Sequence, residues 1–162
     1  MAKSLPYTDG DLIAVPLRDG RGYAVGLISA HDRRGGAIGY FFNQRFDDPP
    51  SVDDAAAFGT ADVVRVMRFG DLGLLKGRWL VLGRHPEWAL SEWPMPVFGR
   101  REPTGRAFRV VYSRDDLRGP EREEVITDDE CDLLPRDALS GSGAVERVLT
   151  HLLGHDLPAS GP

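Results

Sequence analysis

Gly10 to Ala30 reads GDLIAVPLRDGRGYAVGLISA, and no other stretch restricts the fold as tightly. Leu12 to Leu17 is an apolar run ended by Pro16, which has no N–H for a ladder and favours a strand end or an edge. Asp19-Gly20 and Arg21-Gly22 follow, supplying residues that accept positive φ, the chemistry of a tight hairpin. The return limb alternates, with Tyr23, Val25 and Leu27 on one side and Ala24, Gly26 and Ile28 on the other. Gly26 inside a strand points to a bulge, a bend or a close approach by another part of the chain. The chain therefore opens with a β-hairpin buried on at least one face. That is a statement about fold and not yet about function.

The rest of the chain continues in short elements. Ala37 to Phe42 (AIGYFF) predicts a third strand, and its adjacent Phe41 and Phe42 must point to opposite faces. Ser51 is placed to cap a short helix near 52–57, with Asp53 and Asp54 in its first turn. Asp62 to Phe69 fits a helix side of Val63, Val66 and Met67 or a strand face of Val63, Met67 and Phe69, and its β-branched residues favour the strand. Leu72, Leu74 and Leu75 sit in a compact turn, and Arg78 to Gly83 predicts a buried strand with Trp79 at its start. His85 to Pro96 carries three prolines and the tryptophans Trp88 and Trp93, the composition of an irregular loop pinned by aromatics. Arg100 to Arg106 predicts a basic turn, Phe108 to Tyr112 a strand, and Glu121 to Thr127 a further extended segment. A helix near 143–153 follows, with Val145, Val148, Leu149 and Leu152 as its apolar stripe and Gly154 at its end. The expected class is mainly β (α+β), a twisted antiparallel sheet or a partly open SH3-like barrel. Residues 1–9 are expected as a flexible lead-in, 10–155 as a single domain and 156–162 as a frayed tail.

At 162 residues the chain is long enough for one real core, and its 19 Gly and 12 Pro fit many short elements joined by turns. The net charge of −5 argues against general nucleic-acid binding. A lone Cys131 excludes an internal disulfide and a zinc site with two thiolates, and its neighbours Glu130 and Asp132 disfavour a thiolate. The start MAKSLPYTDG has no apolar core of a leader, and no run is long enough to span a membrane, so a cytoplasmic protein is the expectation.

Catalytic chemistry leaves only fragments. His31 and Asp32 are neighbours in a polar turn, which reads as solvated. His85 beside Glu87 and Glu92 could be a general base, yet no partner stands at a diagnostic spacing. His151 and His155 have metal-compatible i, i+4 spacing, but Gly154 falls between them and no carboxylate pattern joins them. No serine elbow, phosphate loop or dinucleotide fingerprint is present. The expectation is no enzyme, no cofactor and no metal.

Two surfaces remain as candidates. From Asp115 to Asp137 the chain is densely acidic, either a solvated face or a dock for a basic partner. Its candidate partner-binding residues are Asp115, Asp116, Glu121, Glu123, Glu124, Asp128 and Asp129. Trp88 and Trp93 are either apolar anchors for that partner or plugs of their own loop. Arg100, Arg101, Arg106, Arg109 and Arg114 form a smaller cationic group, which either neutralises the acids or belongs to a small β-barrel adaptor binding nucleic acid or peptide.

The order of short motifs resembles the bacterial immunity protein 26 family of polymorphic toxin systems. It rests on Gly10-Asp11 with Ile13 to Leu17, on Asp19-Gly20 with Tyr23 to Gly26, on Gly77 to Gly83, and on Leu134-Pro135 before the last helix. The resemblance implies a mainly β fold and a non-catalytic role, binding and neutralising a cognate toxin domain, often a nuclease. No binding residue transfers from it. The Pro/Trp loop and the acidic segment are where specificity for the partner is expected.

Overall fold

Pro16 and the glycines after it shape the first hairpin as their chemistry requires. The computed structural model describes residues 4–154. Strand β1 (Asp11–Pro16) ends at the proline, and Asp19, Gly20 and Gly22 take φ of 60°, 67° and 103° before β2 (Tyr23–His31) returns. Then come β3 (Gly36–Phe46), helix α1 (Val52–Ala55), β4 (Val63–Gly70), α2 (Leu72–Leu75) and β5 (Leu80–Arg84). The second half holds β6 (Phe98–Arg101), β7 (Ala107–Val111), β8 (Arg122–Ile126), α3 (Asp128–Asp132), β9 (Leu139–Ser140) and α4 (Ser142–Leu153).

The strands form two sheets, of order β5-β1-β2-β3-β4-β9 and β6-β7-β8. All pairings are antiparallel except β4 with β9, where Arg68 and Phe69 lie beside Leu139 and Ser140 in parallel. The larger sheet does not close on itself, so the fold is mainly β, with an open six-stranded mixed sheet beside a three-stranded one, as expected.

Both faces of the larger sheet are covered, which explains why Phe41 and Phe42 are adjacent and both fully buried. On one face Ile13, Val15, Ala24, Ile28, Phe41, Met67 and Phe69 pack beneath Val145 and Leu149 of α4, with Trp79 at the side. On the other, Leu12, Val25, Leu27 and Phe42 pack against α1 and Trp93. Farther along that second face Ala30 and Ile38 meet Phe98, Val110 and Tyr112 of the smaller sheet. A register shift between Ile28 and Ala30 in the β2–β3 ladder places Ala30 there, opposite Ile38. Gly26 is explained by the Phe41 ring, since a Cβ at Gly26 would sit 2.7 Å from Phe41 Cδ1. Gly39 lies under the same ring, so the two glycines make a flat floor for it.

Several expectations need correction. β5 is an edge strand and not a buried one: among the described residues it pairs only with β1, and Leu80 and Val81 are 37% and 36% exposed. Trp79 is buried but precedes the strand, its indole N–H donating to Glu146 at 2.8 Å. Val63 does not share a face with Met67, because a register shift at Phe41/Phe42 turns it toward α1's side. Arg100 to Arg106 is a turn only from Glu102 onward, since Phe98–Arg101 pairs with β7. The short helix begins as expected, with Ser51 Oγ accepting the Asp54 N–H at 3.1 Å, but ends earlier. Of the lead-in, Leu5 and Tyr7 pack on the main core, and the Tyr7 hydroxyl donates to Asp71 at 2.7 Å. Residues 155–162, which include His155 and the expected tail, lie outside the described residues. No helix among the described residues is long and apolar enough to cross a membrane.

Candidate partner-binding surface

The acidic segment folds into the outer strand of the smaller sheet and the helix that follows it. β8 pairs with β7 from Ala107↔Ile126 to Val111↔Arg122, and among the described residues no strand pairs with its other edge. Thr127 then caps α3 through a reciprocal pair: its hydroxyl accepts the Glu130 N–H, and the Glu130 carboxylate accepts the Thr127 N–H, both at 3.1 Å. Below α3 Cys131 is buried against Gly99, where a Cβ would lie 3.0 Å from Sγ. Gly99 is thus the close approach that lets α3 sit on the sheet.

Arginines neutralise part of this acidity. Arg100 bonds Glu123 at 2.8 Å, Arg101 holds Asp132 at 2.6 Å and Asp128 at 3.3 Å, and Arg109 pairs with Glu124. Asp116 is paired with Arg118 at 3.4 Å, and this contact together with the Arg118 backbone N–H holds its carboxyl below the usual range. Asp115, Glu121 and Asp129 make no ion pair among the described residues. They are exposed, so their negative charge is uncompensated by ion pairs. Exposed pairs such as these add little to stability and exchange readily for pairs with a partner.

The five arginines do not gather on one face. By strand parity Arg100 and Phe108 share one side of the smaller sheet, while Arg101 and Arg109 lie on the other. Arg100 and Arg106 stack over the Phe108 ring, and Arg114 reaches across to Asp9. This arrangement does not assemble the basic stripe that a nucleic-acid adaptor needs.

The two tryptophans part company. Trp93 is 1% exposed, edge-on to Tyr40 and Phe42, so it is a plug of the second core and not a surface anchor. Trp88 is half-buried over Gly10, whose missing Cβ makes room for the indole. His85 is buried as well. Its ring lies 6.4 Å from Trp93, and its Nδ1 accepts the Glu87 N–H at 3.1 Å, so it pins the loop.

His31 and Asp32 are not a solvated turn. Asp32 is buried and accepts N–H bonds from Arg34, Gly36 and Leu117, which fixes the β2–β3 turn and docks the 112–121 loop onto it. His31 Nδ1 lies 2.6 Å from Asp9, whose other oxygen takes Arg114 at 3.0 Å. Burial alone would raise the Asp9 carboxyl, but these two partners hold it below its ordinary range. Together with Arg33 and Asp115 these groups line a cleft of about 380 Å³. No side-chain hydroxyl or thiol lines it, and the Asp9 and Asp32 oxygens already serve the protein's own donors. Among the described residues no group of His, Cys, Asp and Glu gathers as a metal site.

No curated protein and no solved structure matches the chain. The family model described as Immunity protein 26 matches residues 8–110, from the turn before β1 to Val110 in β7. The acidic segment, α3 and α4 lie beyond that match. The hairpin, the six-stranded sheet's first five strands and the Pro/Trp loop all fall within it, and the chain belongs to the Immunity protein 26 family.

Proposed function

We propose that this protein neutralises a cognate toxin domain by binding it, without turning anything over, through the acidic side built from β8, α3 and the 113–116 turn. The family's name implies an immunity protein that neutralises a toxin. The observation that carries the choice of surface is the unpaired charge of Asp115, Glu121 and Asp129, flanked by Asp116, Glu123, Glu124 and Asp128 in exchangeable pairs. A basic toxin face, such as the substrate cleft of a nuclease, complements it. Trp88 packs over Gly10 at the start of the first hairpin.

Co-expression with a candidate cognate toxin domain tests the reading. Asp115→Lys, Glu121→Lys and Asp129→Lys together should abolish protection and slow association by roughly ten- to a hundredfold at low salt, with less effect at high salt. Unchanged binding would reject the surface.

The carboxylates of the His31 cleft are engaged by the protein's own donors, which favours the plug over a reading in which the protein modifies its target chemically there. His31→Ala separates the two. Loss of protection with toxin binding intact favours chemistry; full protection favours the plug.

A further inference from the structure

β9 covers only the end of its neighbour. It pairs with β4 in parallel at Arg68↔Leu139 and Phe69↔Ser140, and before that point the two segments part. The chain leading into β9 is held by the smaller sheet instead: the Gly99 N–H donates to Pro135 O and the Asp137 N–H to Gly99 O, both at 2.8 Å. Where they part lies a cleft of about 130 Å³, lined by Arg65, Val66 and Met67 of β4, Arg136 and Ala138 of the diverging chain, and Val148 of α4.

Its charge is one-sided. Arg65 and Arg136 are exposed, and among the described residues neither guanidinium has an ion pair or a hydrogen bond. The hydroxyl of Ser140, which also lines the cleft, has no partner there either. The carboxylates nearest in the chain are engaged elsewhere. Asp137 holds Arg68 at 3.3 Å and accepts the Tyr112 hydroxyl at 2.6 Å, and Asp62 accepts the Gly59 N–H at 2.8 Å. Glu146 of α4 takes Arg78 and the Trp79 indole. No carboxylate lines the cleft, on a protein of net charge −5. The rest of its lining, Val66, Met67, Ala138 and Val148, is apolar. Its volume is roughly that of four water molecules, which suits a small acid and not a nucleotide or a sugar. The larger cleft beneath α3, about 470 Å³, does not offer the same chemistry. Its Arg100 and Arg101 hold Glu123 and Asp132, and Asp132 and Asp137 line it.

We infer that the β4–β9 cleft binds a monocarboxylate on a short aliphatic stem, carried either by a free acid or by the C-terminal residue of a polypeptide. The two guanidiniums and the Ser140 hydroxyl donate to the carboxylate oxygens, and the apolar lining covers the stem. An inorganic anion has no stem to bury, and an amide has no charge to meet the arginines, so both are poorer ligands. The site shares no residue with the acidic side and is independent of the toxin reading.

Butyrate, butyramide and inorganic phosphate titrated separately into the full chain test this, read by amide shifts. Butyrate should shift Arg65 to Met67, Ala138, Ser140 and Val148, and bind about tenfold or more tightly than either of the others. Arg65→Gln and Arg136→Gln, at exposed positions that leave thermal unfolding unchanged, should each weaken butyrate binding about tenfold. No saturable shift at these residues, equal binding of butyramide or phosphate, or unchanged butyrate affinity in both variants overturns the proposal. An acetylated peptide of two glycines and a C-terminal valine, compared with its C-terminal amide, distinguishes the two sources. Tighter binding than butyrate, lost on amidation, assigns the polypeptide terminus; binding no tighter than butyrate assigns the free acid.

Discussion

Gly26 shows how much one missing methyl group decides. A Cβ there would collide with the Phe41 ring, which lies between the sheet and α4 and cannot retreat. Gly26→Ala should cost about 1–3 kcal/mol, read as a lower urea midpoint at unchanged slope. Tyr112 makes a pH-dependent prediction. Burial, and the hydroxyl's 2.6 Å bond to Asp137, push its ionisation up to about 12. A raised folded value contributes stability that is complete below the unfolded value of about 10 and is lost as pH rises through the folded one. Chemical denaturation of Tyr112→Phe from pH 9 upward should therefore show less alkaline loss between about pH 10 and 12 than the parent does. The Gly26 approach was readable from the sequence, because a glycine in an otherwise apolar strand announces it. The Asp9–His31–Arg114 chain was not, since its members lie 22 and 105 residues apart and only tertiary structure joins them.

Among the elements, the Pro/Trp loop and α3 respond to different forces. Trp93 fills the space between Tyr40, Phe42 and His85, so Trp93→Ala should cost about 3–5 kcal/mol by leaving a cavity, whereas a surface anchor would cost little. α3 is five residues long and depends on its cap. Thr127→Ala should cost about 1 kcal/mol and raise amide exchange from Asp128 to Asp132, with little change in the six-stranded sheet. The T-x-x-E spacing of that cap stands in the sequence, but the acidic density around it reads as a solvated run and hid it. β5 was misread for a different reason. An apolar run looks the same whether one neighbour or two will cover it, and the sequence of RWLVLG contains nothing about strand order.

At the scale of the molecule, charge is sorted. The acidic segment lies on β8 and α3 beside the smaller sheet, and Lys76, Arg78 and Arg84 lie on or beside β5, an edge of the larger sheet. If the proposed acidic residues carry toxin neutralisation, reversing Lys76 to Glu should leave it unchanged in the co-expression assay, because Lys76 forms none of their ion pairs. The fold class and first hairpin were legible because they rest on local alternation and turn chemistry. The sorting was not, because it depends on which strands become edges. One feature of the larger sheet reaches further. Its sixth strand and the helix over Phe41 and Phe69 both come from the final quarter of the chain, after the smaller sheet is complete. On the ribosome, then, the first hairpins wait half-greasy for α4 to emerge. A nascent chain stalled after β7 should stay sensitive to protease and bound by chaperone, and only release of the last helix should let it snap shut.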